Sequence, residues 1–333
     1  MKNLRRIISV TLSFAMMLSV SVTALAQSEK PLDGKTVIIH TNDIHGHFEK
    51  DDDHIGITSV VGYKKHLQDE GADVILLDAG DVSHGTSLVT LEKGKTAVKL
   101  MNAAGYDAFV PGNHDFNYGT ERLVELSKLA NFDTIACNVT TKSTDVLKFA
   151  QYTIIEKDGI RYGVFGISTP ETAYKTNPKN VENVEFKNPI EYAKKAVDVL
   201  KQEKCDYIIA LSHLGLDEGS EFKSSDIAYK VPGIDIIIDG HSHTKLDSGK
   251  VVNGVLIAQT GEHLKNLGTV TIDKQTKKIS AKLVSAPELK NYSDSEVDKT
   301  FASIEGEQKK ILDTVIGKTS VTLDGEREHV RKG

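Results

Sequence analysis

Thr36-Val37-Ile38-Ile39-His40-Thr41-Asn42-Asp43-Ile44-His45 is a β-branched run that ends abruptly in polar residues. Such a run reads as a buried strand, and an aspartate and a histidine placed just past its end read as groups delivered to an edge. The same grammar recurs along the chain. Predicted strands at 36–41, 74–78, 108–111, 134–138, 162–167, 207–211 and 234–239 alternate with amphipathic segments, for instance 58–68, 121–130 and 190–202. That alternation predicts an α/β fold rather than a helical bundle or an all-β barrel. Lys157-Asp158-Gly159 predicts a hairpin turn between 152–155 and 160–167.

Composition narrows the function. The 333 residues are long enough for a substantial core, and 39% hydrophobic with 26% charged residues is ordinary for a globular protein. A formal charge of -6 argues against a partner that is a nucleic-acid polymer. The two cysteines, Cys137 and Cys205, sit in or beside apolar runs and read as small buried hydrophobes rather than a disulfide.

The first 26 residues differ from the rest. Lys2, Arg5 and Arg6 precede an uncharged, mainly apolar stretch at 7–25, and Ala24-Leu25-Ala26 has the small-x-small form of a cleavage site. Residues 1–26 therefore predict a signal peptide. The expected location is secreted or cell-envelope, with no stable membrane insertion after cleavage.

Five apolar runs deliver a metal-competent group at or just beyond their carboxyl ends: Asp43 and His45, Asp81, Asn113 and His114, His213, and His241 with His243. Strand ends in open α/β sheets converge on one crevice, so these residues are expected to be neighbours although they are far apart in sequence. A lone Asp-x-His is a weak signal, and Gly112-Asn113-His114-Asp115 is also compatible with a simple turn held by its own side chain. The joint occurrence is far more specific than any part. Imidazole, carboxylate and one amide, without thiolate, suit Zn, Mn or Fe at a hydrolytic centre. With His114 set aside, seven ligands are too many for one tetrahedral ion and suit two divalent metal ions sharing a carboxylate.

Thr41-Asn42-Asp43-Ile44-His45-Gly46-His47-Phe48, Gly80-Asp81, Gly112-Asn113-His114-Asp115-Phe116, Ser212-His213-Leu214-Gly215 and Gly240-His241-Ser242-His243 stand in the order and spacing of the calcineurin-like metallophosphoesterases. The chain resembles in particular the secreted bacterial 5'-nucleotidase / UDP-sugar hydrolase branch. The resemblance implies a four-layer α/β/β/α sandwich and a small-molecule phosphoester substrate of nucleotide type. It implies one metal on Asp43, His45, Asp81 and His243, and a second on Asp81, Asn113, His213 and His241. It further implies attack on phosphorus by a metal-bridging hydroxide. His114 would stabilise phosphoryl oxygens or protonate the leaving alkoxide.

Two features depart from that pattern. Asn117 stands where a family aspartate orients the catalytic histidine. An amide is expected to accept a hydrogen bond from His114 without stabilising imidazolium as a carboxylate does, so the pH–rate profile should lie acidic of that of an Asn117→Asp variant. The second departure is the end of the chain. The resemblance divides it into a metallophosphoesterase domain at 27–290, a linker helix at 291–315, and the first strand of a truncated C-terminal nucleotide-binding domain at 316–333. Loose discrimination between a nucleotide and a simple aryl phosphate is expected on that basis. A 2',3'-cyclic nucleotide phosphodiesterase, a thiosulfohydrolase-like relative and a non-catalytic metal or nucleotide binder remain alternatives. His47 reads as structural or supporting, His84 as an exposed loop histidine, and His263 has no assigned role.

Overall fold

The computed structural model describes residues 30–322 and 324–330. The predicted signal peptide lies outside the described residues. Two six-stranded sheets form the centre of the molecule. The first has the order β14-β13-β1-β2-β3-β4, built from Ile279–Ser285, Asn266–Asp273, Lys35–Thr41, Asp73–Asp78, Ala108–Phe109 and Asp133–Thr134. The second has the order β11-β12-β10-β9-β7-β6, built from Lys250–Val252, Val255–Ala258, Ile236–Ile238, Tyr207–His213, Ile160–Ser168 and Tyr152–Lys157. A short antiparallel pair, β5 (Val139–Thr141) with β8 (Val184–Phe186), stands beside them. Within the first sheet β1 through β4 are mutually parallel, and within the second so are β7, β9, β10 and β12. All these carboxyl ends lie along one side, as the strand-end reading requires.

Side-chain alternation explains the layering. Val37 and Ile39 of β1 join an apolar cluster with Val60, Leu100, Met101, Leu123, Val297 and Ile304, under helices Ile57–Asp69, Lys95–Ala104, Thr120–Leu129 and Ser295–Leu312. Ile38, between them, points the other way and meets Ile209, Leu211, Ile236 and Ile238 of the second sheet. Phe165, Ile208 and Ile237 then face Ala193, Val197, Leu200 and Ile227 of helices Pro189–Gln202 and Ser224–Lys230. Successive strand residues face opposite sides, so strands buried on both faces give continuous apolar runs in the sequence. The result is the expected helix, sheet, sheet, helix sandwich.

Three details differ from expectation. The strands predicted at 108–111 and 134–138 shrink to two residues each. The second is short because the chain crosses between sheets: Ile135 N bonds Phe109 O in the first sheet, whereas Cys137 N bonds Gly166 O in the second. Gly166 permits the crossing, since a Cβ there would sit 2.1 Å from the Ile135 carbonyl oxygen. Third, residues 316–322 and 324–330 form no strand. Ile316 is 98% exposed, and no strand among the described residues pairs with this segment. A helix spans Ser295–Leu312, and the predicted hairpin turn between β6 and β7 is made with left-handed Asp158 and Gly159. Both cysteines are free thiols; Cys137 is buried, whereas Cys205 is only half-buried.

Candidate metal centre

The carboxyl ends of the parallel strands bring the predicted ligands together across the seam between the sheets. Asp43, His45 and His243 form one compact group, and Asp43, Asp81 and His213 a second. Asp43 Oδ1 lies 3.4 Å from His243 Nε2 and 4.0 Å from both His45 Nε2 and His213 Nε2. Asp81 Oδ2 lies 3.3 Å from His213 Nε2 and 3.9 Å from His45 Nε2. Both carboxylates therefore stand between the two groups. The remaining oxygens are engaged: Asp43 Oδ2 accepts from Asn42 Nδ2 and the His241 amide, and Asp81 Oδ1 accepts from the His114 amide.

The backbone is bent to achieve this. Asp43, His45, Asp81, His241 and His243 all have φ between 49° and 73°. That left-handed conformation costs a side-chain-bearing residue on the order of 1 kcal/mol and is concentrated at functional sites. The glycines before Asn113 and His241 have a separate reason. A Cβ on Gly112 would lie 2.2 Å from Asp81 Oδ1 and 2.6 Å from His213 Nε2, and one on Gly240 would lie 2.8 Å from His213 Nδ1. His213 is thus cradled by backbone that no larger residue could supply.

Buried carboxylates brace the loops. Asp115 accepts from the amides of Asp81, Val82, Ser83 and Gly112 and from the Ser83 hydroxyl, which binds the loop after β2 to the loop after β3. Asp239 accepts from the Leu214 and Gly215 amides and from Gln259 Nε2, joining the loops after β9, β10 and β12. Burial raises the pKa of both, that of Asp239 to about 6. Asn42 closes the seam, accepting from Thr260 N and Oγ1 and donating to the Gly261 carbonyl.

Each imidazole has one nitrogen occupied. His45 Nδ1 donates to the His84 carbonyl at 3.1 Å, and His213 Nδ1 to the Ala79 carbonyl at 2.5 Å. A carbonyl only accepts, so both rings present an unprotonated Nε2 to the carboxylates when neutral. Two buried atoms at the seam, His213 Nε2 and Asn113 Oδ1, have no hydrogen-bond partner. Burial would lower the His213 pKa, but Asp81 and Asp43 more than reverse this and raise it to about 10. The same cluster holds the Asp81 carboxyl well below its ordinary range, against the effect of its burial. A site that crowds two buried carboxylates against His213 and the unpartnered Asn113 Oδ1 demands positive charge, and divalent cations fit this donor set.

His241 stands apart from both compact groups. Its ring is 5.1 Å from that of His213, and its Nε2 is turned to Glu171 Oε2 at 2.9 Å. His114 is half-buried, with its ring edge-on to His45 at 5.0 Å. Asn117 Nδ2 lies 3.0 Å from His114 Nδ1, and Asn117 Oδ1 accepts from the Thr176 hydroxyl. The amide therefore donates to His114 where acceptance was expected, because Thr176 already occupies its oxygen. His84 is not an exposed loop residue: it is half-buried and stacks on His114 at 5.6 Å. His263 lies 5.7 Å from the His45 ring and His47 a further 4.2 Å outward, so both line the rim. Glu171 and Glu262, neither singled out by any motif, also reach the site. Glu262 Oε2 lies 2.8 Å from His243 Nδ1.

A doubly layered α/β sandwich with a histidine-carboxylate centre at its strand ends is the architecture of a metal-dependent phosphoesterase. Residues 36–245 match the calcineurin-like phosphoesterase family, and the chain belongs to it. It is 30% identical over 348 residues to the "Trifunctional nucleotide phosphoesterase protein YfkN" of Bacillus subtilis, covering 91% of this chain and 23% of that protein. It is 33% identical over 252 residues to a 5'-nucleotidase of Vibrio cholerae, covering 71% of this chain and 46% of that protein. The crystal structure of a 5'-nucleotidase precursor from Thermus thermophilus superposes with a TM-score of 0.72 at 27% identity, covering 88% of this chain and 62% of that one. The chain thus covers less than two thirds of the length of each of these three proteins.

Proposed function

We propose that this chain is the catalytic part of an exported, two-metal phosphoesterase that hydrolyses small phosphate esters of nucleotide type, in the manner of a 5'-nucleotidase. The observation that carries this reading is the convergence of Asp43, Asp81, His45, His213 and His243 across the seam, beside the unpartnered Asn113 Oδ1. The names of the relatives, 5'-nucleotidase and nucleotide phosphoesterase, support the substrate class. Asp43, His45, Asp81 and His243 would hold one ion, and Asp81, Asn113, His213 and His241 the other. When bound, such ions activate water as a nucleophile and neutralise phosphoryl charge.

The chain's own residues do the rest. His114, whose Nδ1 accepts from Asn117, carries its proton on Nε2 and offers it to a phosphoryl or leaving-group oxygen. Asn117 and Thr176 fix the plane of that ring. Catalytic-domain bounds of 27–290, a linker at 291–315, a further domain beginning near 316 and export directed by residues 1–26 belong to the same proposal. Among the described residues no helix is long and apolar enough to cross a membrane.

The test is turnover of a phosphoester panel, comprising a 5'-nucleotide, a 2',3'-cyclic nucleotide and an aryl phosphate, by metal-stripped protein resupplied with Mn, Zn or Fe. Metal-dependent release of phosphate from the 5'-nucleotide, absent in Asp81→Ala, is expected. Preference for the cyclic ester would replace the nucleotidase reading with the diesterase, and full metal uptake without turnover of any ester would leave a binding protein.

A further inference from the structure

We infer that Glu171 and Glu262 are positioning residues that set opposite tautomers on His241 and His243, each glutamate thereby governing one of the two ion positions. The inference rests on the two-metal reading and deepens it. His243 and His241 are two residues apart and both left-handed, yet their rings are held by different nitrogens. Glu262 Oε2 is 2.8 Å from His243 Nδ1, which leaves the lone pair on Nε2, the atom 3.4 Å from Asp43. Glu171 Oε2 is 2.9 Å from His241 Nε2, which leaves the lone pair on Nδ1. A carboxylate accepts and does not donate, so in a neutral ring the hydrogen goes to the nitrogen with the nearer carboxylate: on His243 to Nδ1, with Glu262 at 2.8 Å against Asp43 at 3.4 Å from Nε2, and on His241 to Nε2 beside Glu171.

The two glutamates are built alike. Each is faced by a lysine: Lys175 Nζ lies 2.8 Å from Glu171 Oε2, and Lys265 Nζ 3.3 Å from Glu262 Oε1. Glu262 also faces His263 Nε2 at 3.8 Å. Lys175 Nζ is 3.0 Å from His241 Nε2 as well, and were it the donor there, the ring would carry its proton on Nδ1 and leave no lone pair on that nitrogen. Both donors converging on Glu171 Oε2 resolves the contact, because that oxygen has lone pairs for two. The pairs differ in burial: the His241 and Glu171 side chains are 3% and 10% exposed, against 39% and 32% for His243 and Glu262. The Glu171 pair is therefore expected to matter more, since water competes less for its hydrogen bond.

The experiment has two readouts on the full chain. In metal-free protein at alkaline pH, imidazole nitrogen shifts from selectively labelled histidine, assigned with His241→Gln and His243→Gln, are expected to show hydrogen on Nε2 of His241 and on Nδ1 of His243. Hydrogen on Nδ1 of His241, or the same tautomer at both, overturns the inference. Titration with Zn or Mn alone is then expected to show Glu171→Gln weakening one ion and Glu262→Gln the other, each by about 10- to 100-fold, Glu171→Gln more strongly. A folded variant that leaves both affinities unchanged overturns that glutamate's role. If the wild type takes up a single ion, the two-metal reading fails, while the tautomers, measured without metal, still decide whether the glutamates position the rings.

Discussion

The two sheets contribute different chemistry to one seam. Strand ends of the first supply both carboxylates, the amide, His45 and His114, whereas those of the second supply His213, His241 and His243. Both acids lie nearly dry on the first-sheet side with His45 and His114, and three further imidazoles face them from the second, so each sheet holds only part of the site. The bracing differs as well. Asp115 gathers five donors beneath the first-sheet loops at 2.7–3.1 Å, and Asp239 gathers three beneath the second at 3.1–3.3 Å. Most of the direct hydrogen bonds to Asp115 are shorter than those to Asp239.

The contrast can be broken at several points. Removing a seam ligand from the second sheet, His213→Ala, should cost turnover on the order of 10³-fold with the first-sheet carboxylates intact, measured as kcat/KM on a nucleotide. Asp115→Ala strands buried amides and should lower the unfolding free energy by about 3 kcal/mol or more, whereas Asp239→Ala should cost about 1–2 kcal/mol, both read by denaturant titration. Equal losses would erase the difference in bracing. Asn117→Asp should move the alkaline limb of the pH–rate profile upward by on the order of one pH unit, since a carboxylate beside Nδ1 stabilises imidazolium. Superimposable profiles would contradict this.

The smallest effect lies outside the seam, at the helix Ser295–Leu312. Asp294 caps it, accepting from the Glu296 and Val297 amides, and its bond to Lys65 lowers its pKa below the ordinary 3.8. A depressed carboxyl stabilises the fold above that value, and the contribution is lost as pH falls through its lowered pKa. Asp294→Ala should therefore cost about 1 kcal/mol near neutrality, and the difference from wild type should shrink in acid, as thermal melts at stepped pH would show.

Much of the site was legible because each ligand follows an apolar run, and the carboxyl ends of parallel strands must share one edge. His213 and Asp43, 170 positions apart, are adjacent for that reason alone. What was not legible lies in contacts between loops that have no pattern of their own. Glu171 reaches His241 across 70 residues, and Asn42 reaches Thr260 across 218. No periodicity marks these residues, since a glutamate after a strand is ordinarily a solvated one. The direction of the Asn117 amide depends on Thr176, which no motif flags. The crossing at 135–138 escaped notice because a strand that changes sheets looks, in sequence, like one that does not.

The central claim is that the two sheets meet to hold a pair of ions that neither holds alone. Anomalous diffraction from crystals grown with Mn or Zn tests it most directly. Two peaks per chain at the seam, each contacted by residues from both sheets and both lost in Asp81→Ala, are predicted; a single peak, or ions bound by one sheet only, would contradict the account.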